Sequence, residues 1–180
     1  MNQRLLALLC AALALIPLQT VVAAEIGSKA PDCALTSLSD TQHHDLQQFR
    51  GKVVYVDFWA SWCPPCAKSF PFLNTLERDF KDRGLQVIGV NLDQTPEDAT
   101  VFLTEYPADF TVAADADQQC ATKFEVKAMP SSYLIDRKGV IRHIHLGFRD
   151  GAAEELRLAV EQLLAESPEL ATCDELITHP

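Results

Sequence analysis

Residues 53 to 59 read Val-Val-Tyr-Val-Asp-Phe-Trp, apolar at every position but one. An unbroken run of that length fits a strand covered on both faces rather than one with a wet side. LQVIGVNL, residues 85–92, is a second such run. Between them, from Cys63 to about Arg83, the period turns helical: Phe72, Leu73, Leu76 and Phe80 share one side, and Arg78, Lys81 and Arg83 lie on others. Gly84 ends that helix. PEDATVFLTEY follows with proline and acids in its first turn, which marks another helix start. Strand, helix, strand, helix with crossovers of this length predicts a parallel pair in an α/β sheet.

The remaining pattern frames this unit. Residues 25–50 carry turn formers and a polar middle, SLSDTQHHD, and predict a short hairpin ahead of the core strand. After FTVA comes a short helical piece around Gln118 to Phe124, then a hairpin of SSYLI, the turn DRKG and VIRHIHL. GAAEELRLAVEQLLAE is an amphipathic closing helix, and residues 167–180 read as a loosely held acidic tail. Nothing repeats and no linker intervenes, so residues 25–166 form one domain.

Composition narrows the partners. The 180 residues are 48% hydrophobic, enough for a core, and 25 acidic against 15 basic side chains give a formal net charge of −10. No basic field is available to hold phosphates, so nucleic acid is not an expected partner. Residues 1–24 differ in kind: Arg4 is their one charge, LLALLCAALALI leads to Pro17, and the small-residue stretch VVAA suits cleavage after Ala24. This predicts a signal segment and export to the periplasm. The rival reading is an uncleaved anchor, since Leu5 to Ala24 is about long enough to span a bilayer.

Export places the cysteines among oxidants. Beyond the signal, Cys33, Cys63, Cys66, Cys120 and Cys173 remain, an odd number. Cys63 and Cys66 sit where the apolar strand gives way to the helix, so the first falls at or beside the N-cap and faces the helix's positive end. That favours thiolate and makes Cys63 the attacking sulfur, with Cys66 one turn inward as the resolving one. Pro64 and Pro65 suit a first turn, but they also delete two N–H groups that would otherwise donate to the Cys63 sulfur, leaving that of Cys66 as the obvious donor. Thiol pKa values run from about 3.5 in strongly oxidising sites to about 7 in reducing ones, and Cys63 is expected near the upper figure. A weakly stabilised thiolate gives electrons away, which predicts a reductase.

WCPPC after VDFWAS, Pro71 five residues beyond Cys66, and a later Met-Pro before a strand resemble the thioredoxin fold, more closely its exported TlpA/ResA-like disulfide reductases. IGSKAPD, VIGVNLD, MPSSYLIDRKGVI and HLGF stand where that family has its landmarks, so the likeness covers roughly residues 26–165. It implies an α/β, three-layer architecture, a central mixed sheet flanked by helices, with an N-terminal β-hairpin extension. It implies further that Pro130 is a cis-proline beside the active sulfur. By the same resemblance Asp57 is the buried acid that takes and returns a proton for Cys66, its pKa raised by the apolar strand. Trp62, Met129, Gly147 and Phe148 would frame an apolar substrate groove. The partners implied are disulfide-containing proteins and a membrane thiol carrier as electron donor. No cofactor beyond the cysteines is called for, and a monomer is expected. Two positions depart from the family pattern: Ser69 replaces a glutamate, and Gly89 replaces the thioredoxin lysine near the buried acid. Cys33 stands where the family has phenylalanine after APD.

Blander readings stand beside these. The CxxC pair could be an inert staple, though so small a loop constrains little. Asp57 could be an ordinary strand-edge acid, and Trp62 only a packing residue. Cys120 could be a plain core residue, or one of Cys33, Cys120 and Cys173 in a structural disulfide, with three pairings open and one involving Cys33 preferred. His143 and His145 share a strand face; with no third ligand at suitable spacing they read as a solvated pair, and no metal is called. His43 and His44 read as loop surface. Rival functions for the cysteine pair are a copper metallochaperone, against which CPPC counts, a disulfide oxidase or isomerase, and a thiol peroxidase, whose threonine and arginine pattern is missing.

Overall fold

The hydrophobic runs do become the middle of a sheet. The computed structural model describes residues 24–38 and 43–166; the expected signal segment 1–24, but for Ala24, and the expected acidic tail 167–180, including Cys173, lie outside them. In chain order the elements are β1 (Ala34–Ser37), β2 (His43–Asp45), β3 (Val53–Trp59), α1 (Pro64–Phe80), β4 (Leu85–Asn91), α2 (Pro96–Glu105), β5 (Thr111–Ala114), α3 (Gln119–Lys123), β6 (Ser131–Ile135), β7 (Ile141–Leu146) and α4 (Ala152–Ala165). Among the described residues the strands form one sheet in the order β2-β1-β5-β4-β3-β6-β7. β3 runs parallel to β4 and β4 parallel to β5, while the other pairings are antiparallel, so the sheet is mixed as expected. His43 and His44 belong to strand β2 rather than to a loop, because that strand pairs with β1 in the hairpin.

β3 is central, and all seven of its residues are buried. Alternation sends Val53, Tyr55 and Trp59 to a face covered by α1, α2 and α4, and Val54, Val56 and Phe58 to the other. The first face is filled by rings: Trp59 lies edge-on to Phe70 at 5.0 Å and beside Phe102 at 4.8 Å, and Phe70 also meets Phe110 at 5.3 Å. Each such pair adds about 0.5–1.5 kcal/mol beyond burial. Phe70 and Glu77 therefore join Leu73, Leu76 and Phe80 on the buried side of α1, and Phe72 packs half-buried against the same core. Glu77 is tolerated there because its Oε2 accepts the Val87 N–H at 3.2 Å.

The opposite face is covered differently. The N-terminal segment, a single turn at Leu46–Phe49 and the short α3 supply Cys33, Leu35, Leu46, Cys120, Ala121 and Phe124 to the second core. Here Cys33 and Cys120 are bonded, with Cα atoms 5.3 Å apart across a sequence separation of 87. Of the three pairings open to the sequence this is the one formed, and Cys120 is no plain core residue.

Closing so long a loop removes much conformational freedom from the unfolded chain. Replacing Cys33 and Cys120 together by alanine is expected to lower the unfolding free energy by about 2–4 kcal/mol, read from urea denaturation, with an m-value that rises because the uncross-linked denatured chain exposes more surface.

Candidate active site

Between Trp59 and the first turn of α1 the chain must reverse from strand to helix, and a buried acid holds it there. Asp93 is 4% exposed. Its Oδ2 and Oδ1 accept the Ser61 N–H at 3.0 and 3.2 Å, Oδ1 accepts the Ser61 hydroxyl, and Oδ2 accepts Asn91 Nδ2–H at 2.7 Å. The Leu92 N–H donates to the Trp59 carbonyl and the Cys63 N–H to that of Ala60, which locks the turn. Cys63 emerges as the N-cap of α1 with extended backbone, Pro64 and Pro65 occupy the first helical positions, and its side chain makes no capping bond.

Cys63 and Cys66 are joined in a disulfide. Cys63 retains 5% of its surface, Cys66 none. The asymmetry decides which sulfur a partner can reach. Cys63 borders a cleft of about 730 Å³ whose walls include Trp62, Pro65, Leu92, Val126 and Met129, and a second cleft of about 470 Å³ towards α2. Trp62, 67% exposed, lines both, so it stands in solvent rather than in the core. The Cys66 N–H donates to the Cys63 carbonyl at 3.0 Å, not to its sulfur. In this disulfide form helix geometry takes that donor.

Asp57 is 1% exposed in the middle of β3. Its Oδ1 accepts the Ser132 hydroxyl at 2.6 Å, while Oδ2 is buried without a partner. Burial pushes the carboxyl from 3.8 up to about 7, and the Ser132 bond only partly opposes this. The two departures from the family pattern have plain causes. Gly89 pairs with Asp57 across the β3–β4 ladder, and a side chain there would run into Phe110 at 2.8 Å and the Trp59 indole at 3.1 Å, so rings fill the space a lysine would need. The buried Ser69 hydroxyl donates to the Cys66 carbonyl at 2.9 Å and is occupied within the helix.

The Met129–Pro130 bond is cis, as the resemblance implies. Of the expected groove residues, Trp62 and Met129 line the larger cleft with Cys63. Gly147 and Phe148 do not: the Gly147 N–H donates to the Pro130 carbonyl at 2.7 Å, and Phe148 packs on Phe72 with ring centres 5.7 Å apart. They buttress the Met-Pro segment and α1. The far wall, which sequence reading left unassigned, is Gln118, Ala121, Thr122 and Glu125 to Ala128 around α3. Gln118 and Glu125, at the two ends of that helix, both have positive φ. Its N-terminus is capped by buried Asp115, whose carboxylate accepts the Cys120 and Ala121 N–H groups at 3.1 and 2.8 Å. The sequence signal was an acid before a short helix, but nothing there ties it to the cleft.

The comparisons with known proteins agree with this arrangement. Residues 25–160 match the Redoxin family. The chain belongs to that family. It is 32% identical over 125 residues to the thiol-disulfide oxidoreductase ResA of Geobacillus kaustophilus, covering 69% of this chain and 71% of the relative. Against ResA of Bacillus subtilis it is 30% identical over 121 residues, 67% of each. A crystal structure from Chlorobium tepidum assigned as a thiol:disulfide interchange protein DsbE superposes with a TM-score of 0.75 at 45% identity, covering 78% of this chain and 98% of that one. This Redoxin-family chain is accordingly a thiol-disulfide oxidoreductase, a redox enzyme with the thioredoxin-like fold.

Asp57 generates a pH-dependent cost. Its pKa is raised in the folded state, so its contribution is complete below about 3.8 and is lost as pH rises through about 7. Three units at about 1.36 kcal/mol each bound the effect near 4 kcal/mol. Chemical denaturation should therefore find Asp57→Asn close to the parent at pH 4 and more stable by up to about 4 kcal/mol at pH 8; equal stabilities at pH 8 would show that Asp57 ionises freely.

Proposed function

We propose that this oxidoreductase is an exported reductase of protein disulfides, acting as a monomer in the periplasm and recharged by a membrane thiol carrier. The bare cap of Cys63 carries the reading: two prolines remove neighbouring donors and the Cys66 N–H is spent on a carbonyl. A thiolate so little stabilised leaves the disulfide form comfortable and makes the dithiol a good donor. The apolar cleft beside Cys63, with Trp62 and Met129, suits an extended partner segment better than a small charged substrate. The N-terminal apolar segment supports export; among the described residues no helix is long and apolar enough to cross a membrane.

The reaction balances as follows. The reduced enzyme's Cys63 thiolate attacks one sulfur of the partner disulfide, forming a mixed disulfide and expelling the other sulfur as a thiolate that takes up a proton. Cys66 gives its proton to the Asp57 carboxylate and attacks the Cys63 sulfur, and the second partner sulfur leaves as a thiolate that takes that proton back from Asp57, the first partner proton matching the one Cys63 released on ionising. Two electrons and two protons pass to the partner, and the enzyme ends in its disulfide form.

Four measurements decide it. The reduction potential should lie near the roughly −270 mV of thioredoxin, whereas a value near about −120 mV would make the protein an oxidant. Alkylation of the reduced enzyme should give Cys63 a pKa near about 7. Cys66→Ala should accumulate mixed disulfides with protein partners that Cys63→Ala does not form. Asp57→Asn, with the same fold, should slow turnover at neutral pH by about 100-fold, and unchanged kinetics would remove its proton role.

A further inference from the structure

His143 and His145 gain in the fold the third ligand that sequence spacing does not offer. They lie on β7, the edge strand, and face the sheet side on which α4 packs, in register with Leu134 and Ser132 of β6. Their rings stack nearly parallel, 12° apart, with centres at 6.4 Å. Across from them the first turn of α4 presents Glu155. One ligand atom from each of the three side chains falls within 4.8 Å of the other two, and His143 Nε2 stands 3.8 Å from a Glu155 carboxylate oxygen. This is too long for a hydrogen bond. His143 Nε2 is nevertheless cut off from solvent without a hydrogen-bond partner. A buried imidazole nitrogen with no partner, beside a second imidazole and a carboxylate, is a set of donors lacking what they would donate to.

We propose that His143, His145 and Glu155 bind one Zn²⁺ ion, clamping the edge strand β7 to helix α4. Imidazole with carboxylate suits a borderline divalent ion, and two histidines with one glutamate, leaving a position for water, is an established zinc set. Bonds of about 2.0–2.1 Å at tetrahedral angles put ligand atoms about 3.3 Å apart, so His143 and Glu155 must draw together by about 0.5 Å and the other pairs by at most about 1.5 Å. Glu155, whose side chain is 62% exposed, is free to make that movement, while the histidines are held by the β6–β7 ladder. The ion would satisfy His143 Nε2 and bridge two elements that otherwise meet only through side chains. Among the described residues no other trio of histidine, cysteine, aspartate or glutamate gathers in this way. The site uses none of the redox machinery, and the ion would leave Cys63 and Cys66 untouched.

The test uses untagged protein with both disulfides intact, so that no cysteine thiolate of either pair can compete, titrated with ZnCl₂ by calorimetry and by thermal unfolding. One Zn²⁺ per chain should bind saturably below about 100 µM, with a Tm that rises as the ion saturates the folded state. His143→Ala with His145→Ala should abolish this binding, and Glu155→Gln, at an exposed position that leaves the fold intact, should weaken it by about tenfold or more. The proposal is overturned by an absence of saturable binding, by equal affinity in the double histidine variant, or by an unchanged affinity in Glu155→Gln, which would show that Glu155 does not ligate the ion.

Discussion

A reactive sulfur at a helix tip requires the chain to leave a fully buried strand and enter a helix with almost no intervening loop, and here Asp93 makes that possible. Its carboxylate takes the backbone and hydroxyl of Ser61 and the amide of Asn91, so the polar groups of the turn are satisfied in a site nearly closed to water. Unsatisfied, they would cost about 1–3 kcal/mol each and would compete with the geometry of the cap. Cys63 is thus delivered by a buried network, and the rings of Trp59, Phe70 and Phe102 below it hold α1 on the sheet.

Burial also sorts the chemistry. Cys63 keeps a sliver of surface on two clefts and Cys66 none, so the two sulfurs of one bond differ in their access to solvent. Desolvation lifts Asp57 towards neutrality, and among the described residues the carboxylate has one hydroxyl, from Ser132, and no cation to stabilise its charge. The aromatic packing that strengthens the core is the same packing that excludes a lysine at Gly89. Stability and proton chemistry are therefore set by one group of rings.

The far wall of the cleft depends on the other face of the sheet. α3 is too short to be stable alone, and it is held by the Asp115 cap and by the Cys33–Cys120 bond to the N-terminal segment. The hairpin extension thereby reaches the cleft beside Cys63: it is covalently tied to the helix that faces Trp62 and Met129 across it.

Much of this was open to reading from the chain. Periodicity marks which residues share a face, so β3, β4, α1, α2 and α4 could be placed, and the Cys63–Cys66 spacing at a strand-to-helix junction announced the redox pair. What periodicity does not encode is which faces meet. Asp93 and Asp115 look like surface acids until the sheet buries them, Cys33 finds Cys120 only once β1 and α3 cover the same core, and Glu155 meets His143 because α4 packs on the edge strand. Gly147 and Phe148, expected in the groove, were carried by the turn after β7 to the back of the Met-Pro segment. Short-range pattern is dictated by side-chain alternation along one element; the site's walls, caps and third ligands came from long-range packing, which only the closed sheet could decide.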